Sequence, residues 1–152
     1  MTQQSTTALS EAGVSIWLDD LSRARIESGN LAEVIASLNV VGVTTNPTIF
    51  ANAIGSGTGY ADRIAECARA GVGAEETVFG LMCADVADAC DILQPVFEAS
   101  GGRDGRVSIE VSPTLCHDAA GTVAQALQLW QQVDRPNAMI KVPATAEGID
   151  AI

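Results

Sequence analysis

Four short apolar runs punctuate the chain, at residues 14–19, 40–45, 107–111 and 138–142, each dominated by Val, Ile and their like. Runs of this length and composition read as buried strands. The stretches between them keep a helical period instead. Asn30 followed by Glu33 has the spacing of a capping box, which makes Asn30 the expected N-cap of a helix over 30–38. A second helix is predicted over 60–70. A long third one over 75–99 is apolar on one side through Val78, Leu81, Met82, Val86, Ala89, Ile92 and Leu93. A fourth over 118–133 repeats the pattern with Val123, Ala126, Leu127 and Trp130, and a last one opens at Thr145. Between Asn46 and Glu110 the best strand candidate is 77–82, but helical periodicity runs straight through it. That interval is expected to be an extra helical excursion.

Strands alternating with helices, without hairpin signals, imply parallel strands joined by helical crossovers. Within the strands, polar groups recur at alternate positions. Asp19 shares a face with Trp17, Glu110 with Ser108, and Lys141 with Met139. An open sheet covered by helices on both sides would bury these groups. In a barrel one face meets the helices, the other points into the lumen, and functional groups gather at the C-terminal strand ends. Asp19, Asn46, Glu110 and Lys141 all fall at or near such ends. The expected fold is therefore α/β, a parallel (β/α)8 barrel of which these 152 residues supply about the first half. A full barrel needs eight strands and about 250 residues. The chain reads as one domain, 1–152, that stops within the helix after its fourth strand.

Composition sharpens one position. Lys141 is the only lysine, and the other seven basic residues are arginines. It lies in an apolar strand, where a lysine loses hydration and needs either a partner or a task. The task open to an amine and closed to a guanidinium is attack on a carbonyl to form a Schiff base. Such a nucleophile must be uncharged, a form that burial favours. An adjacent carboxylate works against this, so Glu110 is expected to act through a water rather than as a tight ion pair.

The net charge of -11 argues against nucleic acid or an acidic membrane as partner. Cys67, Cys83, Cys90 and Cys116 form no short metal-ligand pair, and His117 is the only histidine, so no metal and no cofactor are expected. Cys83 and Cys90, seven apart, fall on one helical face as small core residues. Reduced cysteines, no leader and no long apolar run point to the cytoplasm. Residues 1–7 are expected to be disordered.

Several candidates also have plain structural readings. Asp19 could cap the turn that follows it, Glu110 could sit in a salt bridge, and Asn46 before Pro47 is an ordinary turn and helix-start signal. His117 reads as a helix-start residue. Gly55-Ser56-Gly57-Thr58-Gly59 mimics a phosphate loop but follows a helix, which makes it a connector.

Three phrases are specific enough to suggest a family: Ile16-Trp17-Leu18-Asp19-Asp20-Leu21-Ser22-Arg23, Gly42-Val43-Thr44-Thr45-Asn46-Pro47-Thr48-Ile49-Phe50 and Ile140-Lys141-Val142-Pro143-Ala144-Thr145. With Val107-Ser108-Ile109-Glu110-Val111 between the last two, the chain from about Ala8 onward resembles transaldolase in its long actinobacterial form. The resemblance implies a metal-free barrel enzyme of the pentose phosphate pathway acting on sugar phosphates. It would move a dihydroxyacetone unit from sedoheptulose 7-phosphate to glyceraldehyde 3-phosphate. By the same resemblance Lys141 is the Schiff-base lysine, Asp19 the acid/base in carbon-carbon cleavage, and Glu110 the group that works through water. Asn46 holds substrate hydroxyls, with Thr44 and Thr45 shaping its loop. Phosphate-gripping residues of such a family lie on later strands. Two other readings stay open: a non-catalytic half-barrel that pairs with a partner chain or with itself through open sheet edges, and a related Schiff-base aldolase.

Overall fold

The computed structural model describes residues 3–57 and 59–152. Its strands are β1 (Ile16–Leu18), β2 (Val40–Val43), β3 (Arg106–Glu110) and β4 (Ala138–Lys141), all parallel and ordered β1-β2-β3-β4. The helices are α1 (Gln3–Glu11), α2 (Arg23–Glu27), α3 (Asn30–Leu38), α4 (Pro47–Gly55), α5 (Ala61–Arg69), α6 (Ala74–Ala99), α7 (Ala119–Val133) and α8 (Ala146–Asp150). Consecutive strands are spatial neighbours, as the alternating pattern requires. The interval between β2 and β3 is filled by α4, α5 and α6 with no strand among its described residues.

The two faces of the sheet differ as the alternation predicts. Val43, Val107, Ile109, Val111 and Ala138 join Leu31 of α3, Met82, Val86, Ala89, Cys90 and Leu93 of α6, and Leu129 and Val133 of α7 in one core. Ser108, Glu110, Met139 and Lys141 stand on the other face, where Met139 is 42% exposed. Trp17 crosses β2 on that face at Gly42, where a β-carbon would collide with the indole ring. At the N-terminal end of the strands Asn137 is fully buried and donates to the carbonyls of Cys90 (2.9 Å) and Gly105 (2.8 Å), tying α6 and β3 to the start of β4.

Two local expectations are corrected. Residues 3–7 are not disordered: they begin α1, where Thr6 is buried and Asn39 Nδ2 donates to Thr7 Oγ1 at 3.1 Å. Met1 and Thr2 lie outside the described residues. Asn30 is the first residue of α3 and not its N-cap. That place goes to Gly29, whose φ of +77° suits glycine, because Arg25 Nη1 claims Asn30 Oδ1. The 55–59 connector does follow a helix, α4, although Thr58 lies outside the described residues.

Cys83 and Cys90 are both buried on α6, and all four cysteines are free thiols. Burial pushes the Cys83 thiol from its ordinary 9.0 up to about 11 and that of Cys90 up to about 12. Burial raises the Tyr60 hydroxyl as well, helped by Asp85. The folded chain therefore keeps protons that the unfolded chain releases. Their stabilising contribution is complete below about pH 9 and is lost as pH rises through the folded values, at most roughly 1.4 kcal/mol per pH unit and group. Urea midpoints under reducing conditions should fall between about pH 8 and about pH 10. A midpoint that does not move would contradict this assignment. No helix among the described residues is long and apolar enough to cross a membrane.

Candidate active site

Register decides which side chains meet at the strand ends. Glu110 pairs with Lys141 across β3 and β4, so both leave the sheet side by side from the last residues of their strands. Lys141 Nζ lies 3.2 Å from Glu110 Oε2. It donates to the Thr45 carbonyl at 2.6 Å and to Thr44 Oγ1 at 3.3 Å. Three acceptors thus face the three protons of an ammonium. One step further down β3, Ser108 Oγ donates to the same Thr44 hydroxyl at 3.0 Å. Thr45 turns its own side chain the other way and donates to the Ser108 carbonyl at 2.7 Å. The threonine pair stitches β2 to β3 and presents one hydroxyl and one carbonyl to the amine.

Two expectations about this amine do not hold. Its side chain is 38% exposed, not buried, because it stands on the face of the sheet opposite the core formed with α3, α6 and α7. Glu110, 21% exposed, forms a direct ion pair with it and does not stand off across a water, because the parallel register places the two residues opposite each other.

Asp19 and Asn46 occupy the neighbouring strand ends without touching the amine. The backbone just before Asp19 is fixed by a bond from Thr44 N–H to the Leu18 carbonyl (2.9 Å). Asp19 itself is exposed and has no hydrogen bond or ion pair among the described residues. The turn-capping role considered for it falls to Ser22, the N-cap of α2, whose Oγ accepts from Arg25 N at 3.2 Å. The adjacent Asp20 is paired with Arg25, Nη2 at 2.5 Å and Nε at 3.2 Å. Of the two consecutive carboxylates one is tied down and the other is available. Asn46 is the N-cap of α4: its Oδ1 accepts from Ile49 N at 3.0 Å and Pro47 follows at the first helical position. Its amide N–H2 has no partner among the described residues, so the structural reading and a binding role use different atoms.

Ser108 belongs to this group and was not singled out, although the alternation that marked Glu110 put it on the same face. His117 lies just before Asp118, the N-cap of α7, and its exposed ring is 3.3 Å from Glu147. The Glu147 carboxyl is held below its usual range chiefly by its own backbone N–H and then by His117. Thr145, the N-cap of α8, donates to the Cys116 carbonyl at 2.5 Å and so joins the segments that follow β3 and β4. Among the described residues no three His, Cys, Asp or Glu side chains gather as a metal site.

Residues 16–152 match the family model described as Transaldolase/Fructose-6-phosphate aldolase. The chain is 62% identical over 144 residues to Transaldolase 1 of Streptomyces coelicolor, covering 95% of this chain and 38% of that protein. It is 60% identical over 151 residues to Transaldolase 1 of Streptomyces avermitilis, covering 99% of this chain and 40% of that protein. Against the transaldolase of Saccharopolyspora erythraea identity is 54% over 151 residues, covering 99% and 41%. The chain spans about two fifths of the length of these curated relatives.

Proposed function

The chain belongs to the transaldolase/fructose-6-phosphate aldolase family, and from that membership we propose that the protein is a transaldolase whose nucleophile is Lys141. The observation that supports this most is the position of the lone lysine, at the C-terminal end of β4 with Glu110 Oε2 3.2 Å from its nitrogen. β1 to β4 are then the first four strands of a (β/α)8 barrel, and the open face is its lumen.

The reaction begins when Glu110 takes a proton from the Lys141 ammonium and frees a lone pair. The amine adds to the C2 carbonyl of a ketose phosphate, and a proton passes from the added nitrogen to the new alkoxide to give a carbinolamine hydroxyl. The same carboxyl returns the proton to the departing hydroxyl, so that water leaves and an iminium remains. Thr44 and the Thr45 carbonyl hold the nitrogen in place while its hydrogen count changes. Asp19 accepts the proton of the C4 hydroxyl, the C3–C4 bond breaks, and its electron pair moves into the iminium to give an enamine. Erythrose 4-phosphate leaves when the donor is sedoheptulose 7-phosphate. The enamine then adds to the carbonyl carbon of glyceraldehyde 3-phosphate, Asp19 returns the proton to the new hydroxyl, and hydrolysis releases fructose 6-phosphate. The chemistry calls for no cofactor. The free Asn46 N–H2 suits a substrate hydroxyl at the rim. A cytoplasmic setting fits free thiols and soluble phosphorylated substrates, and self-association would run through the edges of β1 and β4.

An acceptor-dependence assay on the complete protein separates transfer from simple aldol cleavage. Sedoheptulose 7-phosphate alone should give at most one enzyme equivalent of erythrose 4-phosphate, because the enamine waits for an acceptor. Adding glyceraldehyde 3-phosphate should start steady turnover. Multiple turnovers with release of free dihydroxyacetone, at a rate indifferent to acceptor, would contradict the transferase assignment.

A further inference from the structure

A closed hydrogen-bonded ring lies four residues beyond Asp19. The Arg23 backbone N–H donates to Tyr60 Oη at 2.9 Å, and Tyr60 Oη donates to Asp85 Oδ2 at 2.5 Å. The Arg23 guanidinium completes the circuit by pairing through Nη2 with Asp85 Oδ1, and its Nη1 reaches Asp88 at 2.5 Å. Tyr60 and Asp85 are each 1% exposed, and the Arg23 side chain is 13% exposed. Gly59 closes over the ring with φ +80°, where a β-carbon would lie 2.5 Å from Arg23 Cγ. The ring joins three separate pieces of chain: the segment after β1, the start of α5, and the middle of α6.

A carboxylate this deep in α6 is costly unless every lone pair is met, so the ring holds one geometry. What that geometry fixes is the short path from β1 to α2. Leu18 is held to β2 at one end through Thr44 N–H, Leu21 is fully buried, and Arg23 is clamped at the other end. Between the two anchors the Asp19 side chain alone carries a carboxylate without a partner.

We propose that Arg23, Tyr60 and Asp85 are positioning residues that aim Asp19 at the substrate hydroxyl. The assignment rests on the acid/base role of Asp19 given above. It concerns carbon-carbon cleavage and leaves imine formation at Lys141 untouched, because among the described residues no hydrogen bond or ion pair joins the ring to Lys141, Glu110, Thr44 or Thr45.

Tyr60→Phe keeps the ring's volume and removes only the bridging hydroxyl. In the complete protein kcat should fall about tenfold with KM within about twofold, since a misplacement near 1 Å suffices for such losses. The yield of borohydride-trapped adduct with fructose 6-phosphate should stay at the wild-type level. In an Asp19→Asn background the same change should have no further effect, because two changes acting through one group are not additive. Full wild-type kcat in Tyr60→Phe would overturn the proposal. So would a parallel loss of adduct and turnover, or an undiminished tenfold loss in the Asp19→Asn background, since these mark a purely structural ring. Wild-type turnover in Asp19→Asn alone would remove the premise and with it the proposal, an outcome distinguishable from failure of Tyr60→Phe.

Discussion

Lys141→Ala should abolish turnover, with kcat falling by roughly 10^4- to 10^6-fold, the range typical for losing a covalent nucleophile. The change removes the single lysine of these 152 residues. It also leaves Glu110 without its ion-pair partner, and charge loss must therefore be separated from loss of nucleophilicity. Lys141→Arg does this. An arginine can reach the Glu110 carboxylate and the Thr45 carbonyl, but its guanidinium stays protonated and does not add to a ketone. Both variants should be inactive in steady-state transfer assays, with Lys141→Arg closer to wild type in thermal midpoint. Activity in either at more than about one part in a thousand would contradict a Schiff base at this residue.

Asp19→Asn should lower kcat by about 10^2- to 10^4-fold, the usual range for losing a general acid/base. The carboxylate is exposed and has no partner among the described residues, so the substitution disturbs no contact and should leave the thermal midpoint within about 1 °C. Its effect belongs to the cleavage step alone. In the mechanism proposed above imine formation uses Lys141 and Glu110, so the covalent intermediate should still form and be trapped by borohydride. Asp20→Asn gives the contrast: it breaks the Arg25 pair and should cost a little stability with kcat within about threefold. Equal effects of the two substitutions on kcat would show that neither carboxylate is specific to the reaction.

Much of the fold was legible because β-branched apolar runs have few alternatives to strands and the intervening periods are clear. The start of α1 was not, since Gln3 to Thr7 is polar and gains order from long-range contacts of Thr6 and Thr7 that no local pattern encodes. The N-terminus of α3 was misplaced by one residue for a similar reason: Arg25 competes for the Asn30 side chain. In the site, strand alternation and the lone lysine singled out Lys141, Glu110 and Asp19. Alternation cannot state which residues face each other across two strands, so the direct Glu110–Lys141 pair emerged only with the register. The Arg23–Tyr60–Asp85 ring spans separations of 25 to 62 residues. Its one trace in the sequence is a carboxylate, Asp85, set among the apolar positions Met82, Val86 and Ala89 of α6.

Incubating the complete protein with fructose 6-phosphate, reducing with borohydride and mapping the adduct by mass spectrometry reads the Schiff base at Lys141 itself. Lys141 is the only lysine in these 152 residues, so an adduct on a peptide from this stretch that contains it identifies the residue. A single stable adduct is expected on the peptide that contains Lys141, lost in Lys141→Arg and retained in Asp19→Asn. A folded protein that turns over substrate without any adduct on Lys141 would contradict the Schiff base at this residue.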